Sequence, residues 1–216
     1  MDLEADGVTP TDEPTAADRV RIFGLLAEAF CSAPTEESAH EVARVAQGLG
    51  VSCSHGLPLG EIQREFMDLF VVPNPRYVAP YESVYRDRRL IEPALGTGAA
   101  PQTVGRLLMG ESTLAVRRSF MESGIMPSQD LPDHIGNELR LVAHLWHVVA
   151  CAETQDAAEA ARRRERFVAE HLLQWIGALG DKVAESGGSG FYRAAIEAAH
   201  VLLRAEPSAV PMEPPV

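Results

Sequence analysis

The chain has 216 residues, 46% of them hydrophobic, with 31 acidic against 19 basic side chains and a formal charge of -12. That length and apolar content suit one domain with a sizeable core and exclude wholesale disorder. The acidic balance argues against a binder of nucleic-acid backbone, which needs clustered Lys and Arg. Residues 1–19 hold six acids against Arg19 alone, and so carry five of the twelve negative charges. The remainder is only mildly acidic, and bulk charge is a weak argument for a cationic partner.

Residues 1–17 are rich in Asp, Glu, Thr and Pro without apolar period, and are expected as a disordered acidic tail. Phe23, Leu26, Ala27 and Phe30 then fall at helical spacing. A second helix is expected from an N-cap at Thr35, with Glu36 and Glu37 in its first turn and Val42, Val45 and Leu49 inward. Ile62, Phe66, Leu69 and Phe70 repeat the pattern. VVPNPRYVAP, from Val71 to Pro80, holds three prolines and predicts an extended connection. Helical spacing returns at Val104, Leu107 and Leu108, and again through Leu114, Arg117, Arg118, Phe120 and Met121, with Gly124 as a stop.

Pro132 suits a helix start with Asp133 in the first turn, followed by Ile135, Leu139, Val142, Trp146 and Val149 as the inward stripe. A long helix from about Thr154 carries Phe167, Leu172, Trp175 and Leu179 up to the Gly187–Gly190 break. A last helix runs from Phe191 to about Arg204, and residues 206–216 form a second, proline-rich disordered tail. No strand pattern of useful length appears. The expected class is all-α: one compact multi-helix domain over 18–205 with a proline-rich crossover.

No secretory signal and no stretch of roughly 20 apolar residues is present. Cys31, Cys53 and Cys151 are scattered and odd in number, as free thiols of a reducing compartment would be. The chain reads as soluble and cytoplasmic.

Phosphate loops, dinucleotide fingerprints, nucleophile elbows and HExxH are absent, so no cofactor is implied and an enzyme is disfavoured. His134, Glu138, His144 and His147 leave a helical metal or redox protein as the alternative, although the di-iron pattern is incomplete. The basic groups Arg88-Arg89, Arg117-Arg118 and Arg162–Arg164 read as solvated helix faces. Two clusters remain. Tyr81-Glu82-Ser83-Val84-Tyr85 suits either a recognition surface or a turn whose aromatics plug the core. Pro132-Asp133-His134 with Glu138 suits either a helix start or a binding site at a helix end.

Taken together, these clusters resemble the TorD/DmsD family of chaperones for molybdenum-containing respiratory enzymes. The likeness runs through about residues 20–204: Glu65–Phe70 for the aromatic-x-x-Leu-Phe helix, Pro80–Tyr85 for its P-[YW]-x-S-V-[YW] segment, and Pro132–Leu139 for PDH-x-x-x-EL. Phe167-x-x-x-His171-Leu172-x-x-Trp175 with Phe191-Tyr192 matches its closing pattern. Val71-Val72, Leu131 and Val142 depart from common family residues. The resemblance implies a cytoplasmic chaperone of anaerobic respiration. It would bind the twin-arginine signal peptide of a molybdopterin oxidoreductase catalytic subunit and hold back export until cofactor insertion. It also implies a peptide site with Tyr81, Glu82, Ser83 and Tyr85 on one side and Pro132, Asp133, His134 and Glu138 on the other. A groove of rings and carboxylates would complement an Arg-Arg pair followed by an apolar stretch. The expected form is a monomer or an exchanged dimer, with the client enzyme left open.

Overall fold

The computed structural model describes residues 14–53, 56–91, 102–105, 108–128 and 131–205. Thr15 opens the first helix, α1 (Ala16–Cys31), through a capping box with Asp18. The helix therefore begins two residues inside the expected tail, of which 1–13 lie outside the described residues, as do 206–216. Thr35 caps α2 (Glu36–Gly48) as expected, with Ser38 completing the box. Val42 and Ala46 are buried there, while Val45 and Leu49 are only half-buried.

The third helix, α3 (Leu59–Phe66), runs into a π-helical segment, Met67–Val71. Phe66, Leu69 and Phe70, at i, i+3 and i+4, all reach the core. The crossover then ties itself to the same segment. Val78 N–H donates to the Leu69 carbonyl at 2.7 Å, and the Asn74 amide donates to the carbonyls of Asp68 and Val72 at 2.8 and 2.7 Å. The connection is extended, as its prolines require.

After it come a five-residue helix, α4 (Glu82–Arg86), and two strands, β1 (Arg88–Ile91) and β2 (Gln102–Gly105). These pair antiparallel, with Arg88 opposite Gly105. The helical spacing expected around Val104 is thus corrected. Four residues centred on β-branched Thr103 and Val104 find a cross-strand partner, and pairing overrides so short a periodic hint. Leu107 lies outside the described residues, and Arg88-Arg89 belong to a strand rather than a helix face.

Five longer elements finish the chain. Helix α5 (Glu111–Glu122) stops before Gly124, whose φ is 68°. It buries Val116 and Phe120 but leaves Leu114 and Met121 56% and 68% exposed. Helix α6 (Ile135–Cys151) is followed by α7 (Thr154–Phe167), a second π segment Val168–Leu172, and α8 (Leu173–Glu185) in one continuous rod. Then comes α9 (Phe191–Arg204). Helix α1 packs along α6, α6 against α7, α8 against α9, and α2 against α9. The class is all-α, with the small two-stranded ribbon as its only sheet among the described residues.

Close approach depends on small residues. A Cβ on Gly136 would strike Cys31 Sγ and come within 2.9 Å of the Ala27 carbonyl, so glycine sets the α1–α6 spacing at the start of α6. Arg164, expected in a solvated run, is 2% exposed and lies over the Trp146 ring at 3.7 Å. Its guanidinium stacks where its neighbours Arg162 and Arg163 pair with Glu159.

Candidate functional site at the start of α6

Helix α6 starts at Ile135, with His134 as its N-cap, so Asp133 is not in its first turn. The reason is a bridge between two distant segments. Ile135 N–H donates to the Pro80 carbonyl at 2.9 Å, and Glu82 N–H donates to the Asp133 carbonyl at 2.9 Å. Tyr81 and His134 thereby form an isolated antiparallel bridge, their rings edge-to-face at 5.3 Å. This pairing holds His134 in extended backbone, keeps Asp133 in the turn before it, and turns the Asp133 carboxylate onto the other chain segment. Its Oδ2 accepts Ser83 N–H at 3.0 Å and caps α4 from outside. The two clusters singled out in the sequence are therefore one unit.

His134 Nδ1 accepts the Gly136 N–H at 3.1 Å, which requires that nitrogen to be unprotonated. Burial, with Arg140 nearby, lowers the imidazole to about 4, so it is neutral at physiological pH.

Below the bridge lies a buried polar cluster. Glu82, Asp133 and Glu138 are each fully buried. Glu138 Oε2 accepts the Trp175 indole N–H at 3.1 Å. Its other oxygen meets no further N–H group, and the carboxyl lies beside that of Glu82. Burial first, and then the Glu82 charge, push the Glu138 carboxyl well above its ordinary value, only partly opposed by the Trp175 bond. A shared proton is what lets two carboxyl groups meet in a low-dielectric site. Glu82 also meets His171, whose Nδ1 lies 2.9 Å from Oε2 and 3.1 Å from Oε1. Arg86 Nη1 bonds Glu82 Oε1 and also donates to the Glu170 carbonyl at 2.7 Å, in the second π segment. Tyr85 leans on Trp175, and Phe167 stacks on His171.

Arg86 and His171 reach the wall of an open polar cleft of about 390 Å³, lined also by Asp87, Glu111, Ser112 and Glu170. Asp87 caps α5, accepting Ser112 N–H at 3.0 Å and the Ser112 hydroxyl at 2.7 Å.

Of the eight candidate residues, the structure buries Glu82, Ser83, Pro132, Asp133, His134 and Glu138, and leaves Tyr81 and Tyr85 half-buried. Arg86, His171 and Trp175 join them, although the sequence marked none as a site residue. The signal was present for the last two in the F-x-x-x-H-L-x-x-W spacing, since a His and a Trp four apart share a helix face. The metal alternative is not assembled. His134 caps its own helix and Glu138 holds Trp175. Among the described residues, no group of three or more His, Cys, Asp or Glu could hold a metal ion.

A family profile described as nitrate reductase delta subunit matches residues 31–180. The chain belongs to that family, the one that holds the TorD and DmsD chaperones. Its TorD/DmsD kinship is also visible in individual relatives. Chaperone protein TorD of Vibrio cholerae serotype O1 is 26% identical over 138 residues, covering 62% of this chain and 56% of the relative. Tat proofreading chaperone DmsD of Salmonella paratyphi A is 30% identical over 146 residues, covering 65% and 56%. Chaperone protein TorD of Shewanella pealeana is 28% identical over 137 residues, covering 62% and 53%. The chain thus spans little more than half the length of these curated relatives. Their names are those of chaperones and not of enzymes. Within this TorD/DmsD fold, three of the four family motifs meet in one buried cluster through Glu82, Glu138, His171 and Trp175. The fourth supplies Glu65, whose carboxylate accepts Ser189 N–H at 2.9 Å in the turn before α9. Among the described residues, no helix is long and apolar enough to cross a membrane.

Proposed function

We propose that this chain is a cytoplasmic, system-specific maturation chaperone. It binds the twin-arginine signal peptide of a molybdopterin oxidoreductase catalytic subunit and holds back export until the cofactor is inserted. The relatives' names, TorD chaperone and Tat proofreading chaperone, support the maturation role. The observation that carries the peptide part is the polar cleft beside the carboxylate cluster.

Its mouth offers Glu111 and Glu170, both exposed, and its floor approaches Glu82 through Arg86 and His171. On α5, Arg118 lines the cleft, while Leu114 and Met121 flank it at i−4 and i+3, so an exposed apolar face runs on from the cleft. Acidic groups beside apolar side chains suit an Arg-Arg pair followed by an apolar stretch. The six buried candidate residues act as the frame, and Tyr81 and Tyr85, half-buried along the one-and-a-half turns of α4, make the aromatic contacts.

Calorimetry with a synthetic peptide carrying Arg-Arg and an apolar stretch tests this. Saturable binding is expected, weakened about tenfold or more by Glu111→Lys or Tyr81→Ala, since an exposed charge reversal or a lost aromatic contact costs about 1–2 kcal/mol. Wild-type affinity in both variants sinks the assigned face. No binding of any such peptide sinks the chaperone reading.

A further inference from the structure

We infer that Arg86 is an internal stand-in for the peptide: its guanidinium occupies the seat, between Glu82 and the Glu170 carbonyl, that an arginine side chain of the bound peptide takes over. The inference rests on the peptide reading above and specifies the subsite and the chain's own competitor for it.

The seat is made by two elements far apart in sequence. Glu82 Oε1 comes from the start of α4 and the Glu170 carbonyl from the second π segment, and Arg86 bonds both. Both bonds come from the same guanidinium nitrogen, Nη1, so the seat holds one cationic nitrogen between a carboxylate and a carbonyl. Buried carboxyl groups lie beneath the seat, while Arg118 lines the cleft farther along α5. Glu82 and Asp133 are fully buried, and Asp133 Oδ1 receives no hydrogen bond from the protein. A cation is therefore held strongly at this place, whichever chain supplies it.

Arg86 is an occupant that can leave. It bonds Glu82 from four residues away on a helix of five residues, so its departure gives up one local pairing and one bond to the Glu170 carbonyl. Its side chain is 33% exposed and already lies on the wall of the cleft. There Asp87, Glu111 and Glu170 offer carboxylates to receive it. An incoming arginine replaces the departing guanidinium bond for bond, so Glu82 is never left as a buried, unpaired charge. Arg86 thus lowers the apparent affinity of the site for any cation that uses the seat, by the fraction of time it fills it.

The experiment compares wild-type protein with Arg86→Ala, titrated with the Arg-Arg peptide and its Lys-Lys counterpart. An occupant that fills the seat about nine-tenths of the time weakens apparent affinity about tenfold. Arg86→Ala is therefore expected to bind the Arg-Arg peptide about tenfold more tightly, and the Lys-Lys peptide more tightly by a like factor, since a competitor scales every ligand of the seat alike. Equal or weaker binding of the Arg-Arg peptide by the folded variant overturns the inference and leaves the chaperone reading standing. Absence of binding to both proteins overturns that reading and the inference with it. Should Arg86→Ala fail to fold, the wild-type protein supplies the answer through its arginine side-chain Nε–H resonances. The Arg86 signal is expected to shift and exchange faster with water at peptide saturation, and an unmoved signal while peptide binds overturns the inference.

Discussion

Glu138 shows how one protonation state is written into the site. Its carboxyl is fully buried, bonded to the Trp175 indole at 3.1 Å and set against the Glu82 carboxylate. Because its value is raised in the folded protein, the fold favours the protonated form. The stability this group contributes is full below the ordinary glutamate range and is lost as pH rises through the raised value. Glu138→Gln keeps an oxygen for Trp175 and presents an amide N–H to Glu82. It is expected to match wild type near pH 5 and to be the more stable of the two near pH 9, with each unit of the raised value amounting to about 1.4 kcal/mol. Thermal melts of both proteins across that range check this. A wild-type advantage that grows with pH contradicts the protonated pair.

At the scale of elements, short helices here are capped by residues from elsewhere. Tyr81 and Gly110, the N-caps of α4 and α5, provide no side-chain bond of their own. Asp133 supplies the missing acceptor for α4 and Asp87 for α5. A five-residue helix cannot persist alone, because nucleation is not repaid over so few turns. Cap and bridge together keep α4, and with it Glu82 and Arg86, in position. Asp87→Ala is expected to cost about 1–2 kcal/mol, the usual effect of losing an N-cap carboxylate. Its helical content should be near that of wild type, since α5 remains packed through Val116 and Phe120. Denaturant unfolding measures the loss, and unchanged stability would mean that water caps α5 equally well. The π segments serve the same end. Each lies where a carbonyl meets a side chain or backbone of another element, Leu69 with Val78 and Glu170 with Arg86.

For the whole molecule, the position of the site follows from how close α1 and α6 come. Gly136 lies against the Ala27 carbonyl and Cys31, directly beside the His134 cap. Gly136→Val is expected to push α6 away from α1, lowering stability by about 1–3 kcal/mol as overpacked cores do. Since Ile135 is bonded to Pro80 and Glu82 to Asp133, the same shift should loosen the bridge and weaken peptide binding. Unfolding and calorimetry on one preparation test both effects, and normal binding by a destabilised variant would separate the site from the helix spacing.

Much of this was legible in the chain itself. The apolar spacing predicted α1, α2, α6, α9 and the rod from Thr154, and Thr35 and Gly124 marked a start and a stop, because these depend on residues within a turn or two of each other. The motifs named the family for the same reason: each is local. What periodicity could not supply was any partner across the fold. The β1–β2 pairing overrode a weak helical spacing, the bridge to Pro80 moved Asp133 out of α6's first turn, and stacking on Trp146 buried Arg164 amid charged neighbours. The joining of Glu82, Glu138, His171 and Trp175 likewise depends on three segments meeting. Sequence by itself determined the long helices, the family and the net acidic charge. Only the tertiary structure decided that most of the marked residues are buried and that an arginine of the chain already sits beside their carboxylates, because burial and pairing are properties of contacts between distant residues.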